Sequence, residues 1–161
     1  MKNPFVLLLR AIALRRNQSR APHCLRPLRE IKAATVLLDT DAEDTTAVKS
    51  SVKQYFDYHG IPVRILCPGS RDLDIMGTLK RKTRGPRAEE NSGEMFISLV
   101  DPLASFCSEY EARCSRACFK VGRRQLSEDV FDLVILSPEG AEPPSQSAVF
   151  SEIKNYLNII R

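Results

Sequence analysis

Apolar positions along the chain form short unbroken runs that alternate with stretches of helical repeat. Ala34 to Asp39 (ATVLLD) reads as a strand buried on both faces, and Val48, Val52, Tyr55 and Phe56 then recur at the i, i+4, i+7 and i+8 spacing of a helix. Gly60 ends that helix and Pro62 forbids its resumption. Val63 to Cys67 is the second strand, and a βαβ unit with parallel strands and a right-handed crossover is the expected result. Met95 to Val100 is a third strand. Asp101 and Pro102 read as the cap and first turn of a helix with Leu103, Phe106, Cys107, Tyr110 and Cys114 on one face. Cys118 to Val121 forms a short strand stopped by Gly122, and Val130 to Leu136 (VFDLVIL) a fifth. A last helix, about Gln146 to Ile160, carries Val149, Ile153, Tyr156, Leu157 and Ile160. This alternation predicts a three-layer, Rossmann-like α/β sandwich around a mostly parallel sheet of about five strands.

Two segments stand outside the alternation. Asn3 and Pro4 supply an N-cap and a first-turn proline for a helix to about Arg16. Its apolar residues surround the axis instead of forming one stripe, unlike a helix that lies on a membrane surface. Residues 17–29, with Pro22 and Pro27, read as a linker or broken second helix. Pro68 to Gly93 is rich in Gly and Pro and predicts an exposed loop. The expected organisation is a basic helical arm and linker over residues 1–30 and a single α/β domain over 31–161, enough chain for one core and too little for two.

Charge sharpens that division. Residues 1–30 hold Lys2, Arg10, Arg15, Arg16, Arg20, Arg26 and Arg29 against Glu30 alone, a net +6, whereas the whole chain is +4, so the body stands at −2. A second basic cluster, Lys80, Arg81, Lys82, Arg84 and Arg87, lies inside the loop TLKRKTRGPR. Such clusters fit an acidic protein face or a nucleic-acid backbone. No Trp is present and aromatics are few, which argues against a stacking platform for single strands.

Arg10 cuts the apolar stretch Phe5 to Leu14 into pieces too short for an export signal or a membrane span. Cys24, Cys67, Cys107, Cys114 and Cys118 are odd in number and spaced for neither a disulfide framework nor a zinc site. Reduced thiols packed in the core of a cytoplasmic protein are expected.

Candidate chemistry is sparse. Asp39-Thr40-Asp41 at the end of the first strand resembles the opening motif of haloacid-dehalogenase-like phosphatases. That resemblance implies a phosphoryl-accepting nucleophile at Asp39, a general acid/base at Asp41 and Mg²⁺ as cofactor, with Ser70 and Asp101 placed for support. The residues after Asp41 lack the usual glycine-bearing turn, and strand-ending and helix-capping roles suffice for both aspartates. The seven glycines never form a dinucleotide or P-loop cradle, and no G-x-S-x-G elbow occurs. His23 lies in the linker, and His59, beside Gly60, reads as a cation in a last helical turn. Arg123 and Arg124, just beyond a strand end, are candidates for holding a phosphate, with a solvated turn as their ordinary use.

Several stretches together, IKAATVLLDTD, HGIPVRILC, FKVGR, FDLVIL and EIKNYLNII, resemble a family of short bacterial proteins classed only as a domain of unknown function, with a basic N-terminal helix before an α/β body. The resemblance covers about residues 31–161 and implies no activity. The FKVGR turn is also similar to half of a two-Rossmann sugar-nucleotide glycosyltransferase. The expectation is a non-enzymatic binding module, without cofactor, that docks on an acidic protein or ribonucleoprotein partner. Arg10, Arg15, Arg16, Arg20, Lys80, Arg81, Lys82 and Arg84 are the contact residues of this reading. The alternatives are the Mg²⁺-dependent phosphatase at Asp39 and Asp41, and a nucleotide- or sugar-phosphate-binding domain using Arg123 and Arg124.

Overall fold

Residues 34–38 are all buried, because strand β1 (Ala33–Leu37) is the middle of a sheet with helices on both faces. In the computed structural model, which describes every residue except 1, 2, 19–23, 88, 90, 91, 102, 103 and 161, β1 is followed by α2 (Thr45–Tyr58) and β2 (Val63–Leu66), and preceded by α1 (Pro4–Arg16). A four-residue helix α3 (Arg81–Arg84), β3 (Glu94–Ser98), α4 (Phe106–Cys114), β4 (Phe119–Gly122), β5 (Leu133–Val134) and α5 (Gln146–Ile159) complete the chain. The sheet order is β2-β1-β3-β4-β5 with every pairing parallel, so the expected five-strand, Rossmann-like sandwich is the observed fold.

Pleating divides the core. Ala34, Val36, Met95, Ile97, Phe119 and Val121 meet Val48, Val52 and Phe56 of α2 and Val149, Phe150, Ile153 and Leu157 of α5 on one face. Leu37, Leu66 and Phe96 meet Cys107 and Ala112 of α4 on the other. The arm helix α1 lies against α4 as an outer layer. Its cap is the predicted one: Asn3 Oδ1 accepts from Phe5 N at 3.0 Å, with Pro4 in the first turn. Val6, Leu9, Arg10, Ala13 and Leu14 are half-buried, whereas Phe5, Leu7, Leu8 and Ile12 are exposed. Among the described residues no helix is long and apolar enough to cross a membrane.

Four elements differ from the sequence expectation, each for a local reason. The fifth strand shrinks to Leu133–Val134 because the Asp132 carboxylate, in place of a ladder carbonyl, accepts from Lys120 N at 2.7 Å. α4 begins at Phe106 rather than near Asp101, since Ser105 provides its N-cap by accepting from Ser108 N. α2 begins at Thr45, later than a cap by Asp39 or Asp41 would place it, after a turn in which the Thr45 hydroxyl donates to Asp39 O at 2.6 Å and Ala42 O at 2.7 Å. The stretch from Pro68 is not wholly an exposed loop. Leu79 is buried and bridges to Leu73, and Asp72 accepts from Gly69 N and the Thr83 hydroxyl. All five cysteines are free thiols, but only Cys107 is fully buried and Cys24 is exposed, so core packing does not account for the whole set.

Candidate functional site: the strand ends and a basic groove

In an open parallel sheet, ligands sit beyond the carboxyl ends of strands where the order reverses, here between β1 and β3. Several side chains bond across that end of the sheet. Gln146, only 2% exposed, accepts from Asp39 N at 2.8 Å and donates to Asp39 O at 3.2 Å. Ser147 N donates to Asp44 Oδ2 at 2.7 Å; although burial opposes it, this contact helps hold the Asp44 carboxyl below its ordinary range. Arg123 donates to Leu99 O at 2.9 Å and Pro144 O at 2.6 Å, tying β3 and β4 to the segment before α5. Arg124 makes a two-pronged contact with Asp101, Nε to Oδ1 at 3.0 Å and Nη2 to Oδ2 at 2.9 Å. Both arginines serve as ties across the strand ends.

The two aspartates of the phosphatase motif meet in a local turn. Asp39 Oδ1 accepts from Asp41 N at 3.0 Å, a local turn, and Asp41 is exposed. Ser70 opens a single 3₁₀ turn, Ser70–Asp72, and Asp101 faces Arg124. Among the described residues no three His, Cys, Asp or Glu side chains are grouped to share a metal ion. His59 caps the C-terminal end of α2 with its ring against Tyr55 and Tyr58, at 4.7 and 5.1 Å between centroids.

The arm and loop cations divide into structural and free groups. Arg10 is structural: its Nε donates to Met76 O at 2.7 Å, and its guanidinium sits 4.7 Å above the Phe106 ring. Gly77 allows that approach, for a Cβ there would stand 2.5 Å from Arg10 Nη2, and its φ of +81° suits glycine. Lys80 Nζ donates to Arg71 O at 2.7 Å, and Arg26 pairs with Glu30. Arg15 and Arg16 at the end of α1, and Arg81 and Lys82 on α3, are exposed and enter no ion pair among the described residues. Arg20 lies outside the described residues.

Arg84, unlike its neighbours, turns into a groove on the α4 side of the sheet. Thr35 and Arg64 are register partners on β1 and β2, and Arg64 Nη2 donates to Thr35 Oγ1 at 3.3 Å. Arg87 contacts Glu111 at 3.5 Å and stacks over Tyr110, 5.6 Å from its centroid. Glu111 is 5% exposed; burial pushes its carboxyl up, against the pull of Arg87 and Arg84. Of residues 35, 64, 84, 87 and 111, which meet here, sequence reasoning singled out Arg84, as a docking contact, and Arg87, in the basic loop, but not their convergence. A further signal was Arg64, a charge inside the otherwise apolar strand VRIL.

Comparison of the chain with known protein families, with curated proteins and with solved structures finds no match.

Proposed function

We propose that this protein is a binding module that docks on an acidic partner through the exposed cations of α1 and α3. The observation that carries the reading is that Arg15, Arg16, Arg81 and Lys82 are exposed and enter no ion pair among the described residues, whereas Gln146 and Arg123 at the strand ends are engaged by the chain's own backbone. Unpaired surface cations steer an anionic surface by long-range attraction that salt screens. An acidic protein fits better than a nucleic-acid backbone, because Phe5, Leu8 and Ile12 of α1 are also exposed and a protein face can bury them. In this reading Arg10 and Lys80 hold the docking elements in place, and no reaction is catalysed.

Capture from an extract of the source cells by the full chain, at low and high salt and after nuclease treatment, tests the proposal. A nuclease-resistant acidic protein is expected at low salt, released by high salt, and absent with a variant carrying R15Q, R16Q, R81Q and K82Q. Retention that the four substitutions leave unchanged, or loss on nuclease treatment, overturns it.

A further inference from the structure

The outward side of α1 is apolar where a surface helix is ordinarily polar. Val6, Leu9, Arg10, Ala13 and Leu14 are half-buried, and α1 lies against α4. Phe5, Leu8 and Ile12 are 63, 57 and 38% exposed. These three recur at i, i+3 and i+7, so they stand in one line along the helix. Arg15, at i+10, continues that line, and Arg16 lies beside it, four residues after Ile12. Both arginines are exposed and enter no ion pair among the described residues. A helix that is apolar on every side is ordinarily covered on every side.

We infer, on the docking reading above, that the occupant of this face is an amphipathic helix of the acidic partner, with its apolar stripe along Phe5, Leu8 and Ile12 and its carboxylates against Arg15 and Arg16. The i, i+3, i+7 line is the seam on which two helices interlock. A helix surface offers no backbone donor or acceptor, because its own amides and carbonyls are paired along its axis. An extended segment laid on this line would bury unpaired N–H and C=O groups, but a helix arrives with its backbone satisfied. From Phe5 to Arg15 the line runs about 15 Å, or roughly three turns.

Charge selects against two other occupants. Residues 4–16 contain no acid, so the α1 helix of a second copy, laid along this one in either direction, brings no carboxylate to Arg15 and Arg16. A lipid surface that took in Phe5, Leu8 and Ile12 would take in Arg15 on the same line. Helices that lie on membranes carry their cations on the face opposite the apolar one.

Photo-crosslinkers placed singly at Phe5 and at Ile12 of the full-length protein, in extract of the source cells, test the inference once the trapped partner residues are located by mass spectrometry. The two positions are about 10.5 Å apart along α1. Trapped residues about seven positions apart in one partner segment are expected, since a helix spans that distance in about seven residues. A separation of about three, the spacing of an extended strand, overturns it. L8S and I12S in one chain should weaken retention of the partner by about tenfold or more, while the body melts like the parent because both side chains are exposed. Unchanged retention overturns the assignment of this face. Co-sedimentation with vesicles of phosphatidylglycerol and phosphatidylcholine, or a dimer in sedimentation equilibrium, either one lost with L8S and I12S, overturns it in favour of lipid or a second copy. The variant carrying R15Q, R16Q, R81Q and K82Q decides the docking reading separately. A partner that this variant releases, but that is trapped at strand spacing or not at all from positions 5 and 12, removes the helix and leaves docking standing; no capture by the parent chain removes both.

Discussion

Gln146 holds Asp39 by both polar backbone atoms, accepting from its N–H and donating to its carbonyl, and the Gln146 amide also donates to the Thr45 hydroxyl at 3.3 Å. A side chain from the start of the last helix thereby ties down the end of the first strand. Gln146→Ala strands these groups, and a loss of about 1–3 kcal/mol is predicted. Urea denaturation measures it, and an unchanged midpoint would show that this tie does not stabilise the fold.

Lys120 gives a pH signature. The side chain, 1% exposed beneath α4 with Nζ donating to Ala112 O at 3.0 Å, has its pKa lowered by burial to about 8 from 10.5. The unfolded chain keeps that proton over a range in which the folded chain has lost it, so stability rises with pH from about 8. The gain is on the order of 1 kcal/mol between about pH 8 and 9. Above pH 9 the Cys107 thiol, which burial holds at about 12 against 9.0, acts in the opposite sense, because the unfolded thiol ionises first. Tyr55, raised by burial from 10.0 to about 12, adds to that fall. Denaturation midpoints at closely spaced pH values should therefore rise and then decline. Lys120→Met should abolish the rise and leave the decline.

Gly122 and Phe131 are in close contact. A Cβ on Gly122 would lie 2.6 Å from two ring carbons of Phe131, inside any tolerable contact. Gly122→Ala should cost about 1–3 kcal/mol by overpacking. Phe131→Leu in the same chain should recover part of this, and a double-mutant cycle would show the coupling. Additive losses would mean that the ring has room to move aside.

Arg10 decides whether the arm stays on the body. Removing its bond to Met76 and its position over Phe106 by Arg10→Ala should free α1 without melting the sheet. Trypsin cleavage after Arg15 and Arg16 should quicken by about tenfold, corresponding to roughly 1.4 kcal/mol of lost docking. The thermal midpoint of the body should change little. Equal cleavage rates would show that Arg10 does not hold the arm.

Periodicity made much of the fold legible. Strands β1, β3 and β4 are largely apolar because both faces are covered, and Val48, Val52 and Phe56, or Val149, Ile153 and Leu157, show the one-sided stripes of helices that cover them. The fifth strand was overextended because VFDLVIL contains Asp132, whose carboxylate imitates a backbone acceptor in a way that composition does not reveal. Candidate sites were less legible. Arg123 looked like a surface cation from its neighbours, yet its partners, Leu99 and Pro144, are 24 and 21 residues away. The recess draws Thr35, Arg64, Arg84 and Glu111 from four separate segments, and only tertiary packing brings them together. Lys120 between buried Phe119 and Val121 carried a hint of its own, a charge at a position whose neighbours are buried, and Arg64 a weaker one between half-buried apolar residues.

Site-specific photo-crosslinking tests the docking account most directly. A crosslinker is placed singly at Arg16, at Lys82, and at Tyr58, which is 85% exposed on α2 and serves as the control. The account predicts that positions 16 and 82 trap acidic segments of the same partner protein, that salt suppresses both crosslinks, and that position 58 does not trap it. Equal trapping from all three positions, or trapping at 58 alone, would contradict it.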